Sequence, residues 1–278
     1  MKRRICIFCF VVSLTLGMPA AVGAARVESG RAVRVEMETT LPLEEGREYQ
    51  AIARKVERFY LEYYDFIPPA PIKLIIARNE GSYGRVLQRE GATRERALRI
   101  ARSSRAISLG AKSVIVVCAA KNRTPEVRLR IITHEMFHQF QEHLGGQTPA
   151  HNWLREGSAK MAEIQLLEWS GEGALSTNRQ NLIRFLAKMP GTADPAEMNE
   201  SGSDWTRLVE QKKYPYQVAE LMTDYLMRQK GKDAILRYFS YLRQYGNRET
   251  AFFRAFGVGH RQFVQDYRAY IVRESQKL

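Results

Sequence analysis

The stretch TPEVRLRIITHEMFHQFQEHLGG, residues 124–146, constrains this chain more than any other. It is punctuated as a helix at both ends. Thr124 is a good N-cap, Pro125 suits the first helical position, and Glu126 favours the positive end of the helix dipole. Gly145 and Gly146 supply the stop. The chain changes character across this helix. Before it, VRVEMET alternates apolar and polar, which predicts a half-exposed strand over 33–39. PIKLIIA (71–77), RAISLG (105–110) and SVIVVCA (113–119) read as apolar strands, with residues 110–112 as a tight link. Ile52, Val56, Phe59, Tyr60 and Tyr63 fall at helical spacing, predicting a helix over 44–66 stopped by Pro68 and Pro69. A shorter helix is expected over about 79–90. After residue 146 every pattern is helical: about 151–169, 178–188, 214–229, 232–244 and 260–275, separated by loops that carry Pro190, Gly191, Gly202 and Ser203. There is no internal repeat and no low-complexity tract. The expected class is therefore α+β, with a strand-rich part over about 33–123, two central helices over about 124–169 and a helical part over about 178–278.

The first 24 residues read differently. Lys2, Arg3 and Arg4 precede an apolar run over 5–16 and small residues up to Ala24. That is the pattern of a secretory signal peptide, with an apolar stretch too short to span a bilayer comfortably. The expectation is an exported, periplasmic or secreted bacterial protein whose mature domain covers 25–278, with no stable membrane span after cleavage. Cys118 is then the one cysteine left, so the fold stands without an internal disulfide. Cys118 ends an apolar run and reads as a buried small hydrophobe. The formal net charge is +13, with Lys and Arg scattered along the chain. A basic exported surface suits solvation, or attraction to an anionic envelope component. No nucleic-acid-binding motif is present.

The helix carries His134, Glu135 and His138 in the pattern H-E-x-x-H. Residues four apart share a helix face, so both imidazoles can point at one ion. Zinc accepts neutral imidazole nitrogen at about 2.0–2.1 Å, and catalytic zinc sites keep three protein ligands and one open position. Glu135, turned by about 100° from His134, can flank the metal and take a proton from a water there. A third ligand is offered by Glu156 in AHNWLREGSAKMAEIQLLEW, after the break at Gly145 and Gly146 lets a second helix fold back. His143 and His151, at the ends of the intervening loop, read as loop-edge histidines, and His260 as a cap-region or surface residue.

HEMFHQF followed by WLREGSAKMAE resembles the gluzincin metallopeptidases, and within them the bacterial peptidase-MA-like proteins, whose second motif reads W-L-x-E-G-x-A. The resemblance implies a thermolysin-like fold, Zn2+ held by His134, His138 and Glu156, and Glu135 as general base. It also implies that Trp153, Leu154 and Gly157 position the second helix. Family members carry a Tyr about ten residues before a leucine in a later helix. Tyr216 and Leu226 match that spacing, which makes Tyr216 the expected oxyanion donor and Tyr214 its reserve. The likeness extends along most of the chain, but only the two motifs are specific. There are departures. Where the thermolysin-type pattern has an Asp four residues after the glutamate ligand, this chain has Lys160. Glu163, seven residues on and on the same face, is the expected partner of a ligand histidine. No G-x-M-E-N-like motif precedes the helix, which argues for an endopeptidase over an aminopeptidase. The expected function is a zinc-dependent peptidase acting on peptide or protein substrates, with a peptide laid as a strand along a sheet edge drawn from 105–119. The alternative is a catalytically silent peptidase-fold envelope protein that binds an anionic polymer or a protein partner.

Overall fold

A computed structural model describes residues 32–37, 41–189, 191–199 and 202–277. The expected signal peptide lies outside them. The first elements are β1 (Val33–Met37), α1 (Leu43–Tyr64), β2 (Ile72–Ala77), α2 (Glu80–Arg89), α3 (Arg94–Ser103), β3 (Ala106–Leu109) and β4 (Val114–Cys118). Then follow α4 (Pro125–Gly145), α5 (Asn152–Trp169), α6 (Leu175–Lys188), α7 (Gly202–Glu210), α8 (Pro215–Lys230), α9 (Lys232–Tyr245), α10 (Arg248–Phe256) and α11 (His260–Ser275). The class is mixed α+β, mostly helical, as the patterning predicts. No helix among the described residues is long and apolar enough to cross a membrane.

The four strands form one sheet in the order β1-β2-β4-β3. β1, β2 and β4 run parallel, with Leu74 opposite Val35 on one side and Ile115 on the other. β3 runs antiparallel to β4 and pairs Ala106 with Val117 and Leu109 with Val114. The central strands are apolar but for Lys73, because both faces are covered. Leu74, Ile76, Ile115 and Val117 face the larger core, which includes residues of α1 and α4. Ile75, Ala77, Val114, Val116 and Cys118 face a smaller core with Tyr83, Val86 and Leu87 of α2 and Ala97 and Ala101 of α3.

α4 is set by caps and by α1. The Thr124 hydroxyl accepts from the Val127 amide, and Pro125 occupies the first turn. Arg128, buried over the Tyr49 ring, donates to Glu45 (2.5 Å) and Glu48 (2.8 Å) of α1. One turn on, the Tyr60 hydroxyl donates to the Thr133 carbonyl (2.8 Å), immediately before His134. α1 itself ends at Tyr64, with Asp65 in the left-handed region, so the chain turns before it reaches Pro68 and Pro69. α5 packs between α4 and α8. Gly157 makes the α5–α8 approach close: any side chain there would collide with the Ala219 carbonyl and the Thr223 hydroxyl. Trp153 and Leu154 are fully buried at the start of α5, with Trp153 stacked on Phe263 of α11 (5.1 Å, 10°).

Three helices depart from the sequence reading. α3 is absent from it because its apolar stripe is thin: only Ala97 and Ala101 are buried, though Thr93 caps the helix by accepting from Arg96 N. α7 occupies residues expected to be loop. α10 carries its own signals, an Asn247 N-cap and Gly257 in the left-handed region, and was hidden by its shortness. The expected strand over 33–39 is described only to Met37.

Candidate metal centre

His134, Glu135 and His138 sit mid-way along α4 and are all buried. α5 brings Glu156 across to them. The His134 and His138 Nε2 atoms are 3.2 Å apart, and Glu156 Oε2 is 3.3 Å from the first and 3.5 Å from the second. These three edges fit one face of a tetrahedron: ligands about 2.05 Å from a common centre stand roughly 3.3 Å apart. The imidazole planes are nearly perpendicular (88°), so both in-plane lone pairs can converge on that centre. Two imidazoles and one carboxylate, with no thiolate among them, form the donor set of a catalytic rather than a closed structural zinc site. The residues fit the ion that the sequence implies.

Each ring is held by its other nitrogen. His134 Nδ1 is 3.0 Å from Glu163 Oε1, so Glu163 stands where the sequence expects it and is buried rather than exposed. Arg130 Nε (3.0 Å) and Lys160 Nζ (2.8 Å) both donate to Glu163 Oε2. Lys160, which stands where the thermolysin-type pattern has an Asp, therefore braces the carboxylate. Burial pushes the Glu163 carboxyl up, but Lys160, His134 and Arg130 outweigh it and bring it to about 2. His138 Nδ1 is 2.8 Å from Gln141 Oε1. Gln141 donates its amide to the Arg155 carbonyl (2.8 Å) and the Ser158 hydroxyl (2.9 Å) on α5. Those two acceptors fix which end of Gln141 faces His138, so Nδ1 is the protonated nitrogen and Nε2 is left for a metal. Sequence reading missed Gln141; its spacing three residues after His138 was the available signal.

The electrostatics favour a positive charge between the three donors. Burial lowers the affinity of His134 for a proton, yet Glu156 and Glu163 overcome it and hold the imidazole at about 10. Burial raises the Glu156 carboxyl, but the two imidazoles and Arg155 carry it well below the usual range. Tyr216 is within reach of the charges at the site: burial first, then Glu156 and Glu135, push its phenol above its ordinary value. Tyr216 is largely covered, with Trp205 meeting it edge-on (5.1 Å, 88°). Tyr214, by contrast, packs edge-on against Phe185 (5.1 Å). The structure thus brings together His134, His138, Glu156, Glu135 and Tyr216, with Glu163 behind.

β3 is the sheet edge beside this site. Among the described residues it pairs only with β4, and it lies along α4, where Gln139 Nε2 donates to Ser108 Oγ (2.9 Å) and the Val114 carbonyl (3.1 Å).

The remaining histidines correct the sequence reading in part. His143 is exposed near the end of α4, as expected of a loop-edge residue. His151 and His260 are buried instead, stacked on one another at 4.3 Å and 19°. Both begin helices that pack inward, which sequence position alone does not reveal. With Glu249 they bring three potential ligand atoms within 4.8 Å of one another, the second such group among the described residues.

Comparison of the chain with protein-family models, with curated proteins and with solved structures finds no match.

Proposed function

We propose that the protein is an exported zinc-dependent endopeptidase of the gluzincin kind, with a thermolysin-like arrangement of sheet and helices. The observation that carries this reading is the 3.2, 3.3 and 3.5 Å triangle of His134, His138 and Glu156 donor atoms, with Glu135 buried beside it. When bound there, zinc supplies a Lewis acid that polarises a carbonyl and lowers the pKa of water. Glu135 accepts the proton of the attacking water and later returns it to the leaving amine. Tyr216, kept protonated by burial and by the neighbouring carboxylates, donates its O–H to the developing oxyanion. Glu163 and Gln141 hold the two imidazoles so that Nε2 of each faces inward. The free edge of β3 offers backbone donors and acceptors to a substrate laid as an added strand.

The test is a peptide-library digest by wild type and Glu135→Gln, each with measured zinc content. The expected result is one zinc per chain in both proteins and a loss of about a thousandfold in kcat/KM in the variant. Full proteolysis by a zinc-loaded Glu135→Gln would rule the mechanism out.

A second reading has its own observation. Arg94, Arg96, Arg99 and Arg102 of α3 are all exposed, and none pairs with a carboxylate among the described residues. Such a face suits an anionic envelope polymer. Zinc binding with no cleavage across the library, and retention on an anionic polymer that falls with salt, would favour a binding protein over an enzyme.

A further inference from the structure

One turn beyond His138, α4 leaves the metal centre and borders a cavity of about 270 Å³. It lies under the end of β3, between the last turns of α4, the link after β3 and the chain between α1 and β2. Phe66, Pro68, Pro69 and Ile72 make an apolar wall; Gln139, Glu142 and Ser113 supply the polar groups. The volume sits just below the range of small-ligand clefts, which starts at roughly 300 Å³, so it suits one long side chain rather than a whole cofactor.

Glu142 is the distinctive group. In a chain of net charge +13, its carboxylate has no cationic partner among the described residues. It lies against Gly110, whose missing side chain leaves room for the carboxylate there. Gln139 adds an acceptor. Its amide nitrogen is committed to Ser108 and Val114, which turns Oε1 away from them, and that oxygen accepts nothing among the described residues. The other titratable group in the wall is His143, whose carbonyl accepts from Arg243. Hydrogen-bond acceptors around a carboxylate, with an apolar wall for an aliphatic stem, match a guanidinium or ammonium on a flexible chain.

Position ties the cavity to the site. Glu135, Gln139 and Glu142 follow one another on one face of α4 at helical spacing. Glu142 is four residues after His138, about 6 Å along the helix axis. A peptide running along β3 past the metal centre reaches the cavity after the end of that strand.

We propose that this cavity binds the Lys or Arg side chain of the substrate, with Glu142 as the residue that sets the preference. The proposal rests on the peptidase reading for its substrate, but not for the binding of the cation.

The test uses N-acetylated, C-amidated peptides with Lys, Arg, Gln, Leu or Glu at each position around the cleaved bond. At one position wild type is expected to favour Lys and Arg by about tenfold in kcat/KM, the size of one charge-assisted hydrogen bond. Glu142→Gln should lose that preference, and Glu142→Lys should turn it toward Glu, with circular dichroism and zinc content unchanged in both. A basic preference that survives both substitutions, or no basic preference at any position, overturns the proposal. A preference that appears only with a free N-terminus also overturns it, in favour of an N-terminal ammonium. Should no peptide be cleaved, the peptidase reading fails, and fluorescence anisotropy of the same peptides decides the cavity separately. Tighter binding of Arg than Gln peptides, lost in Glu142→Gln, supports it; equal binding sinks it.

Discussion

The molecule buries two histidine pairs, and they are arranged in opposite ways. His134 and His138 stand nearly perpendicular, with their Nε2 atoms 3.2 Å apart and a glutamate closing the triangle. His151 and His260 lie stacked at 19°, with Glu249 3.5 Å from His151 Nε2. The residue types are the same, two imidazoles and a carboxylate. Their geometry is not. In-plane lone pairs of stacked rings run side by side and do not meet at one ion. His260 Nε2 is moreover engaged, accepting the Trp153 indole N–H at 3.1 Å. Phe252 meets both rings of this pair edge-on (5.6 and 5.2 Å), and Tyr238 lies parallel to His151 at 6.2 Å. The first pair has the convergence that a cation needs; the second is aromatic core that ties α5 to α10 and α11.

The sharpest way to break this comparison is by metal content. His138→Ala should lose stoichiometric zinc and with it all hydrolysis, while His151→Phe keeps one zinc per chain. Elemental analysis of purified protein checks both, and two zinc ions per wild-type chain would contradict the reading of the stacked pair.

The next effect is on stability. Burial, then the charge of Arg248, lowers His260 from 6.5 to about 4. The folded state therefore favours the neutral ring, and between pH 4 and 6.5 the unfolded chain binds more protons. Stability from this group is complete above pH 6.5, falls as pH drops through that window and levels off below 4. The loss expected between pH 8 and pH 5 is about 2 kcal/mol. His260→Gln keeps an acceptor for Trp153 without the titration, so its denaturant midpoint should change less over the same range. Parallel pH dependence in the two proteins would show that His260 titrates normally.

The smallest expected effect separates the supports of the first pair. Gln141→Leu leaves His138 without its partner, and zinc affinity should fall about 10- to 100-fold, measured by competition with a chelator. The same substitution should leave thermal stability of the stacked pair's region, read by hydrogen exchange in α10 and α11, unchanged.

Much of this was legible in the chain. α4 follows from its caps and glycines, and the apolar strands follow from runs that only a sheet covered on both faces would bury. Glu163 was reachable because seven residues on a helix return to the same face as Glu156. Gln141 was not singled out, since a glutamine next to a ligand histidine looks like any polar helix residue until α5 supplies the acceptors for its amide. α3, α7 and α10 were lost because helices of nine or ten residues leave little periodic signal.

What the sequence determined alone is local: the capped α4, the order of strands before helices, and two imidazoles on one face with a glutamate between. Those depend on spacing and propensity, which act within a few residues. What the tertiary structure decided is convergence. It put β3 rather than β4 at the sheet edge, set Glu156 within 3.5 Å of both imidazoles, packed Tyr216 against Trp205 and Tyr214 against Phe185, and stacked two histidines the sequence left at a loop edge and a helix start. Packing of distant segments fixes such distances, and a close approach like that of Gly157 to α8 has no signature in its neighbours along the chain.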